Sequence, residues 1–396
     1  MKKLVDSLVE FFVDGAKEPS KFALGLEIEH LVVDKTTGKA FGYWDEKTER
    51  GIKQVLEKLE KYFTSSSRNQ HGDLLGLSRA NIALTLEPGA QFETSIGPFQ
   101  SVDEFRREYM QFISEAGPIC DEVGAQLLTL GYQPKTLERD VTIIPKDRYS
   151  IMDDYLAKTG KYGHNMMRCS ASTQVSIDYS DEQDAIKKLR ISSALMPIYA
   201  YYYSNSPYFE GAENTNKMIR TKLWDDLDPS RCSLIPHLYD TDFGFEQYAI
   251  TALTTRLMVA DLTGTPEAYD DKEKVREAFS ESAVDIYPDR ALNEHEILHI
   301  LSTYFFDVRL KNYIELRSVD SLPLDTALDF LANIKHNFYN EEKLQELSTA
   351  LEGIVEKDVA EAKQVLLSAT IENQGEVHVY GKPLNYWFKK LGLNEL

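Results

Sequence analysis

Cysteine is scarce in this 396-residue chain: Cys120, Cys169 and Cys232 are all it has, and no two of them stand in a CxxC spacing. That excludes a disulfide-stapled scaffold and fits a reducing compartment. Positive charge is also in deficit. Against 64 Asp and Glu there are 44 Lys and Arg, a formal charge of −20, which repels polyanions and excludes nucleic acid and anionic membrane surfaces as partners. Any bound phosphate must meet local arginines and metal ions. No run approaches the ~20 apolar residues of a bilayer span, and no GxxxxGKS or GxxxxGKT phosphate loop occurs. The N-terminal stretch has two early lysines, but Asp6, Glu10 and Asp14 interrupt its apolar residues and no small-residue cleavage site follows. It reads as an amphipathic helix and not as a signal or transit peptide, so the expected location is the cytoplasm.

What the chain does have is carboxylate in a strand-like pattern. Four segments carry it: GLEIEH (25–30), LEPGAQFE (86–93), STQVSID (172–178) and RLKNYIELRSVD (309–320). Strand side chains alternate with period two, so Glu27 and Glu29 share a face while Leu26 and Ile28 point the other way. The same parity joins Thr85 with Glu87, then Gln91, Glu93 and Ser95 beyond the Pro88-Gly89 turn. It also joins Arg309, Lys311, Tyr313, Glu315 and Arg317, with Leu310, Ile314 and Leu316 behind them. Strands that bury one face and line the other with Glu and Arg predict a sheet whose concave surface is an active site. Clustered carboxylates repel one another unless divalent cations neutralise them, and oxygen ligands suit magnesium or manganese.

Helices are predicted at the N-terminus, at 49–62, at 101–123 behind a Ser101/Glu104 capping box, at 148–158 and at 182–203 behind Asp181 or Ser180. More are expected near 245–258, 273–282 and 292–305, and from Pro323 to the end. Strands are expected over 22–34, with a second short one after the Thr37-Gly38 turn, over 82–95 as a hairpin, and over 126–132, 171–179 and 308–317. Ser65 to Ser67 and His71-Gly72 read as a polar loop. The carboxylate-bearing strands lie far apart in sequence and no Pro/Gly/Ser-rich hinge divides them. The expectation is a single α+β domain over residues 1–396 with a helical subregion from about residue 323.

Order and spacing narrow the reading. GLEIE, LEPGAQFETS, Met166-Met167 followed by STQVSID, SNSPYFEG, RTKLWDDLDPSR, FGFEQYA and VRLKNYIELRSVDSLP run collinearly over most of residues 22–325. The arrangement resembles the glutamate–cysteine ligase family of the plant and proteobacterial type. The resemblance implies a glutamine synthetase-like curved, mainly antiparallel sheet with flanking helices. It implies an ADP-forming ligase that makes γ-glutamylcysteine from L-glutamate and L-cysteine through a γ-glutamyl phosphate, the first step of glutathione-type thiol synthesis. Glu27, Glu29, Glu87, Glu93 and Glu315 would then hold Mg2+ or Mn2+. Gln174, Asn205, Arg220, Arg231 and Arg317 would bind substrate or ATP, the three arginines as the catalytic anion clamps, because their planar forks bind carboxylate and phosphate bidentately. Partners would be small molecules, the protein itself a monomer or homodimer. Leu227 stands where the family usually has Thr, Cys169 where relatives often carry Arg, and 254–260 where a proline-containing run is more usual; these departures bear on the acceptor amine.

Each motif also has a plainer reading. Two glutamates at i, i+2 suit a solvated sheet face, and Glu315 beside Arg317 suits an intrastrand ion pair of little worth if exposed. His295 to His299 matches HExxH, which on a helix sets two histidines for zinc with the glutamate as base of a metalloprotease; no third ligand follows at the usual spacing. A γ-glutamyl ligase with another amine acceptor is the nearer alternative, and a phosphoryl-transferring kinase on a related sheet a further one.

Overall fold

Alternating strands build a sheet here and amphipathic helices cover its back. The computed structural model describes residues 1–263, 275–369 and 374–394. The first third runs α1 (Lys2–Asp14), β1 (Leu24–Asp34), α2 (Ile52–Leu59), β2 (Ser65–Arg68), β3 (Leu74–Arg79), β4 (Ile82–Leu86), β5 (Phe92–Phe99), α3 (Val102–Val123) and β6 (Ala125–Leu128). The middle runs α4 (Asp147–Thr159), α5 (Gly163–Cys169), β7 (Ser172–Ile177), α6 (Glu182–Tyr202), β8 (Tyr208–Phe209), β9 (Ala212–Glu213), α7 (Ile219–Asp225), β10 (Cys232–Ser233), α8 (Phe245–Thr254), β11 (Val259–Asp261) and β12 (Val275–Glu277). Then come α9 (Ala283–Ile286), α10 (Glu294–Leu301), β13 (Phe305–Phe306), β14 (Val308–Leu310) and β15 (Ile314–Asp320). The chain finishes with α11 (Leu324–Tyr339), α12 (Glu341–Ala350), α13 (Glu356–Leu367), the small hairpin β16 (His378–Val379) and β17 (Lys382–Pro383), and α14 (Leu384–Leu391).

Among the described residues the main sheet has nine strands, ordered β14-β15-β7-β1-β5-β4-β3-β2, with β6 paired to the far end of β1. Every neighbouring pair in it is antiparallel. The expected α+β class with a mainly antiparallel sheet is what the chain adopts. Leu24, Leu26 and Ile28 of β1 are buried behind it, as are Val175, Ile177 and Leu316 of the neighbours, so the apolar parity of each strand fixes which face the helices cover. Helix α6 is the main piece of that cover, with Ala185 to Tyr201 almost wholly buried, and Asp181 caps it by accepting from the Asp184 amide. The Ser101/Glu104 capping box starts α3 as expected, and Gly124 ends it in the left-handed conformation at φ 78°. No described helix is long and apolar enough to cross a membrane.

Four local expectations are corrected. Ser65–Arg68 is an edge strand and not a loop; all four residues are exposed, so no apolar alternation marked it. The second strand after Thr37-Gly38 reduces to a single bridge between Val33 and Ala40. The helix expected over 273–282 is replaced by β12, which pairs with β11, although residues 273 and 274 lie outside the described residues; tertiary pairing overrides a weak helical propensity. The strand expected over 308–317 is a hairpin. It turns at 311–313, where the Lys311 amide donates to the Tyr313 carbonyl at 2.8 Å, and this sets Arg309 directly opposite Glu315.

Close to the sheet, Asp320 accepts from the Asn205 amide at 2.7 Å and from Ser206 Oγ at 2.8 Å. A Cβ on Gly131 would lie 2.3 Å from Asp320 Cγ and 2.4 Å from Ser206 Oγ. Gly131→Ala is therefore expected to destabilise the fold by about 1–3 kcal/mol through overpacking, read as a lower urea midpoint at unchanged m-value; an unchanged midpoint would show that this junction yields.

Candidate active site

The concave face of the sheet opens into a cavity of about 730 Å3. Eight of the ten residues singled out from the sequence line it: Glu27, Glu29, Glu87, Glu93, Gln174, Arg220, Glu315 and Arg317. Register explains their convergence. Glu29 sits opposite Glu93 across β1 and β5, Glu27 opposite Gln174 across β1 and β7, and Glu315 opposite Ser176 across β15 and β7. Glu87 comes from the Pro88-Gly89 turn, which Gln91 docks: its Oε1 accepts from the Gly89 amide at 2.7 Å, and its Nε2 donates to the carbonyls of Met167 and Ser170 at 3.2 and 2.9 Å.

The other two predicted residues stand elsewhere, which corrects their placement. Arg231 is completely buried; its Nε donates to Asp228 at 2.7 Å and its Nη2 to the Arg256 carbonyl at 2.5 Å, so the guanidinium fastens its own DPSR turn to the start of β11. Asn205 donates from Nδ2 to the carbonyls of Thr129 and Ser321, both at 2.8 Å. Arg231 spends its donors on Asp228 and on backbone, Asn205 on backbone alone, and neither lines the cavity. Motif collinearity located these segments correctly but carries no information about which way a side chain points.

The five glutamates meet very different surroundings. Glu29 accepts from the Ser172 amide at 2.8 Å, from Ser172 Oγ at 2.7 Å and from Gln174 Nε2 at 3.1 Å. Glu315 is clamped by Arg309 and Lys311, each at 2.6 Å, and by Arg317 at 3.4 Å. Burial opposes its ionisation, but those cations outweigh burial and hold it well below the usual carboxylate range. The remaining three are pushed the other way. Burial raises Glu27, reinforced by the charge of Glu315 and opposed by Lys311, Arg317 and Arg309. Burial raises Glu93 further, with Glu27, Glu87 and Glu29 adding repulsion against one hydrogen bond from Thr85 at 2.7 Å. Burial and the charge of Glu29 lift Glu87 to about 7, against Lys146 and Arg317.

Gln174 bridges the two halves of the site. Its Oε1 accepts from Arg317 Nη1 at 2.6 Å while its Nε2 serves Glu29, so the amide orientation is set from both sides. Arg220 donates from Nη1 to Ser170 Oγ at 3.0 Å and lies 5.4 Å from the Trp224 ring centre. Its Nε, and Trp224 Nε1, are buried donors without an acceptor among the described residues, which suits an incoming anion. Sequence reasoning missed Lys146 and Arg148 at the start of α4 and left Arg309 and Lys311 without a role, yet all four line the cavity. The cationic PKDR run in so acidic a chain was the available signal.

The HExxH match is not a zinc site. Glu296 caps its own helix by accepting from the Asn293 amide at 3.0 Å and pairs with Arg290 at 2.6 Å. His299 Nε2 lies 2.9 Å from the Val259 carbonyl and His295 Nε2 lies 3.3 Å from Asp261. Among the described residues no group of three or more His, Cys, Asp or Glu side chains is placed as a ready-made metal cage, here or in the cavity.

A pH dependence follows from Glu87. Its folded pKa of about 7 exceeds the ordinary value of 4.5, so between these values the folded protein retains a proton that the unfolded chain has released. This contribution to stability is whole below pH 4.5 and is lost as pH rises through about 7. Glu87→Gln abolishes it, so the variant's melting temperature should gain on that of the wild type across this window; a pH-independent difference would contradict the burial of an uncompensated carboxylate.

Comparisons with known proteins bear on the family of the chain. The family described as glutamate-cysteine ligase family 2 matches residues 23–369. The chain is 31% identical over 350 residues to glutamate–cysteine ligase B, chloroplastic, of Oryza sativa subsp. japonica, covering 87% of this chain and 68% of that protein. It is 30% identical over 318 residues to glutamate–cysteine ligase, chloroplastic, of Arabidopsis thaliana, covering 80% of this chain and 59% of that one. The crystal structure of a glutamate–cysteine ligase from Francisella tularensis in complex with AMP shares the fold at a TM-score of 0.51 and 12% identity, over 93% of this chain and 77% of that one. With its carboxylate-lined sheet and these matches together, the chain belongs to glutamate-cysteine ligase family 2.

Proposed function

We propose that this protein is an ATP-dependent ligase that joins L-glutamate to L-cysteine, forming γ-glutamylcysteine by way of γ-glutamyl phosphate. The observation that carries this reading is one cavity in which burial and neighbouring carboxylates outweigh the nearby cations and raise Glu27, Glu87 and Glu93, and which Arg220 and Arg317 also line. Carboxylates in that state call for cations, and arginines among them call for a substrate that is itself anionic. A phosphoryl donor, its metal ions and a carboxylate acceptor meet both demands. A second cleft of about 360 Å3 continues from Glu27 past Gly25, Ser95 and Ser176, which gives the same sheet face room for more than one ligand. Nucleotide binding is supported by the AMP in the Francisella enzyme.

A carboxylate is a poor electrophile, and phosphorylation supplies a leaving group. The γ-carboxylate oxygen of glutamate attacks the terminal phosphorus of ATP and ADP departs. The amine of cysteine then attacks the acyl carbon, phosphate leaves with the C–O electron pair, and the nitrogen loses its proton. Arg317, held in place by Gln174, would neutralise the transferring phosphate, and Arg220 with Trp224 would hold substrate carboxylate by their free N–H groups. Glu27, Glu87 and Glu93 fit Mg2+, with Mn2+ as the alternative, because Mg2+ is ordinarily held by one or two carboxylates together with substrate phosphates and needs no all-protein cage. When bound, the metal would neutralise phosphate charge during transfer. Glu29 and Glu315 are already engaged by hydrogen bonds and by cations, so they would serve chiefly to orient Gln174, Arg309, Lys311 and Arg317 around the site.

Cysteine as acceptor is supported by the named relatives and by the wall of Met152, Met166, Met167, Trp224 and Phe305, a polarisable surface suited to a thiol. Because the cavity's strands come from residues 24 to 320, the catalytic unit is read as a single domain. ADP release requiring both glutamate and cysteine, with γ-glutamylcysteine identified by mass spectrometry, tests the reading. ADP release with a phosphorylated product and no amide would replace it by a kinase, and a much higher kcat/KM with another amine would change the acceptor alone. Arg317→Lys keeps the charge and loses the fork, so kcat should fall by about 10²–10³; unchanged kinetics would reduce Arg317 to a generic charge.

A further inference from the structure

Lys363 lies on α13, well away in sequence from every residue of the cavity, yet its side chain is 2% exposed and its ammonium is held by carboxylates of two segments that line the cavity. All three of its N–H groups are used. They go to Asp225 Oδ1 at 2.5 Å, Asp307 Oδ2 at 2.8 Å and Ser233 Oγ at 2.8 Å. Each acceptor belongs to a segment that shapes the site. Asp225 closes α7, the short helix that presents Arg220 and Trp224 to the cavity. Asp307 joins β13 to β14; its carbonyl accepts from the Arg317 amide at 3.0 Å and its Oδ1 from Ser318 Oγ at 2.8 Å. Ser233, on β10, accepts from the Asp307 amide at 2.8 Å through its carbonyl and stands at φ 69°, a left-handed conformation that a non-glycine residue keeps only where its surroundings hold it.

Two buried carboxylates on separate segments repel unless a cation stands between them. Lys363 is that cation, and it joins the segment of Arg220 to the segment of Arg317 through a single atom. A small gap of about 10 Å3 is lined by Arg220 and Trp224 from one segment and by Asp307 and Arg317 from the other, so the two segments that Lys363 joins also face each other beside the cavity.

We propose that Lys363 is a positioning residue for the ligase reaction: it sets the separation of Arg220 and Arg317 by pinning Asp225 and Asp307 to one ammonium. The proposal rests on the ligase reading given above. It is tested by steady-state kinetics and thermal melting of wild type, Lys363→Met, and the charge-repaired triple variant Lys363→Met/Asp225→Asn/Asp307→Asn. The repair removes the buried repulsion and so restores folding, but it leaves the two segments unpinned. The expected result is a loss of about 10²-fold in kcat/KM for glutamate, the scale of a small misplacement of catalytic groups, in the triple variant as well as the single one, while the melting temperature of the triple variant returns toward wild type. Recovery of kcat/KM along with the melting temperature would reduce Lys363 to a stabilising ion pair and overturn the proposal, and so would native kcat/KM in Lys363→Met. A wild-type enzyme that releases no ADP with glutamate and cysteine overturns the ligase reading first, and this proposal with it.

Discussion

Negative charge gathered on the concave face of a sheet is the constraint on which the rest of this structure depends. Five glutamates share that face, and the nearby cations are concentrated on one of them, Glu315. Glu29 is satisfied by three hydrogen bonds, whereas burial, reinforced by neighbouring carboxylates, disfavours the charged forms of Glu27, Glu87 and Glu93. Such an arrangement is unfavourable in isolation. It persists because the opposite face is a continuous apolar layer, with Leu26, Ile28, Val175 and Leu316 at most 1% exposed. A single-residue slip of any strand would exchange the two faces. Core packing therefore fixes the register, and the register holds the carboxylates together.

The same parity made much of the site legible in the sequence. Glu27 and Glu29 on one strand, Glu93 two residues after Gln91, and Glu315 two residues before Arg317 all project from the side that period-two counting assigns them. Where counting failed, the cause was local. Ser65–Arg68 pairs only on one edge with wholly exposed side chains, so it carries no apolar signal. The 311–313 turn lacks glycine or proline, and a continuous strand was the natural reading; the hairpin nevertheless keeps Arg309 and Glu315 on one face because they pair directly. Arg231 and Asn205 lie in segments with the right order and spacing, but their partners are the Asp228 carboxylate and backbone carbonyls from residues 256, 129 and 321. No one-dimensional pattern could have announced those contacts. Lys146 and Arg148 were missed for a related reason: they reach the cavity from the start of a helix that none of the carboxylate motifs contains.

The periphery is organised around the same face. The segments of α7, β10 and β13–β15 are joined at Lys363, where a helix from the C-terminal third meets the chain that carries Arg220 and Arg317. At the other side Gln91 docks the Pro88-Gly89 turn against α5 and β7, and a Cβ on Gly89 would lie 2.2 Å from the Arg168 carbonyl. Polar contacts between segments distant in sequence thus aim the side chains that line the cavity, while the sheet supplies the platform. His295 and His299, by contrast, satisfy α10 and β11 and take no part in the cavity.

The account's central claim is that the carboxylate face becomes balanced only when divalent cation and nucleotide phosphate arrive together, since no described trio of side chains forms a cage beforehand. Thermal melting with magnesium alone, with a non-hydrolysable ATP analogue alone, and with both tests it directly. At ligand in roughly hundredfold excess over Kd, joint binding should stabilise by about 2.7 kcal/mol, against little change with either component by itself. Full stabilisation by the analogue in the presence of chelator would contradict the account, because the buried glutamates would then tolerate phosphate without a cation between them.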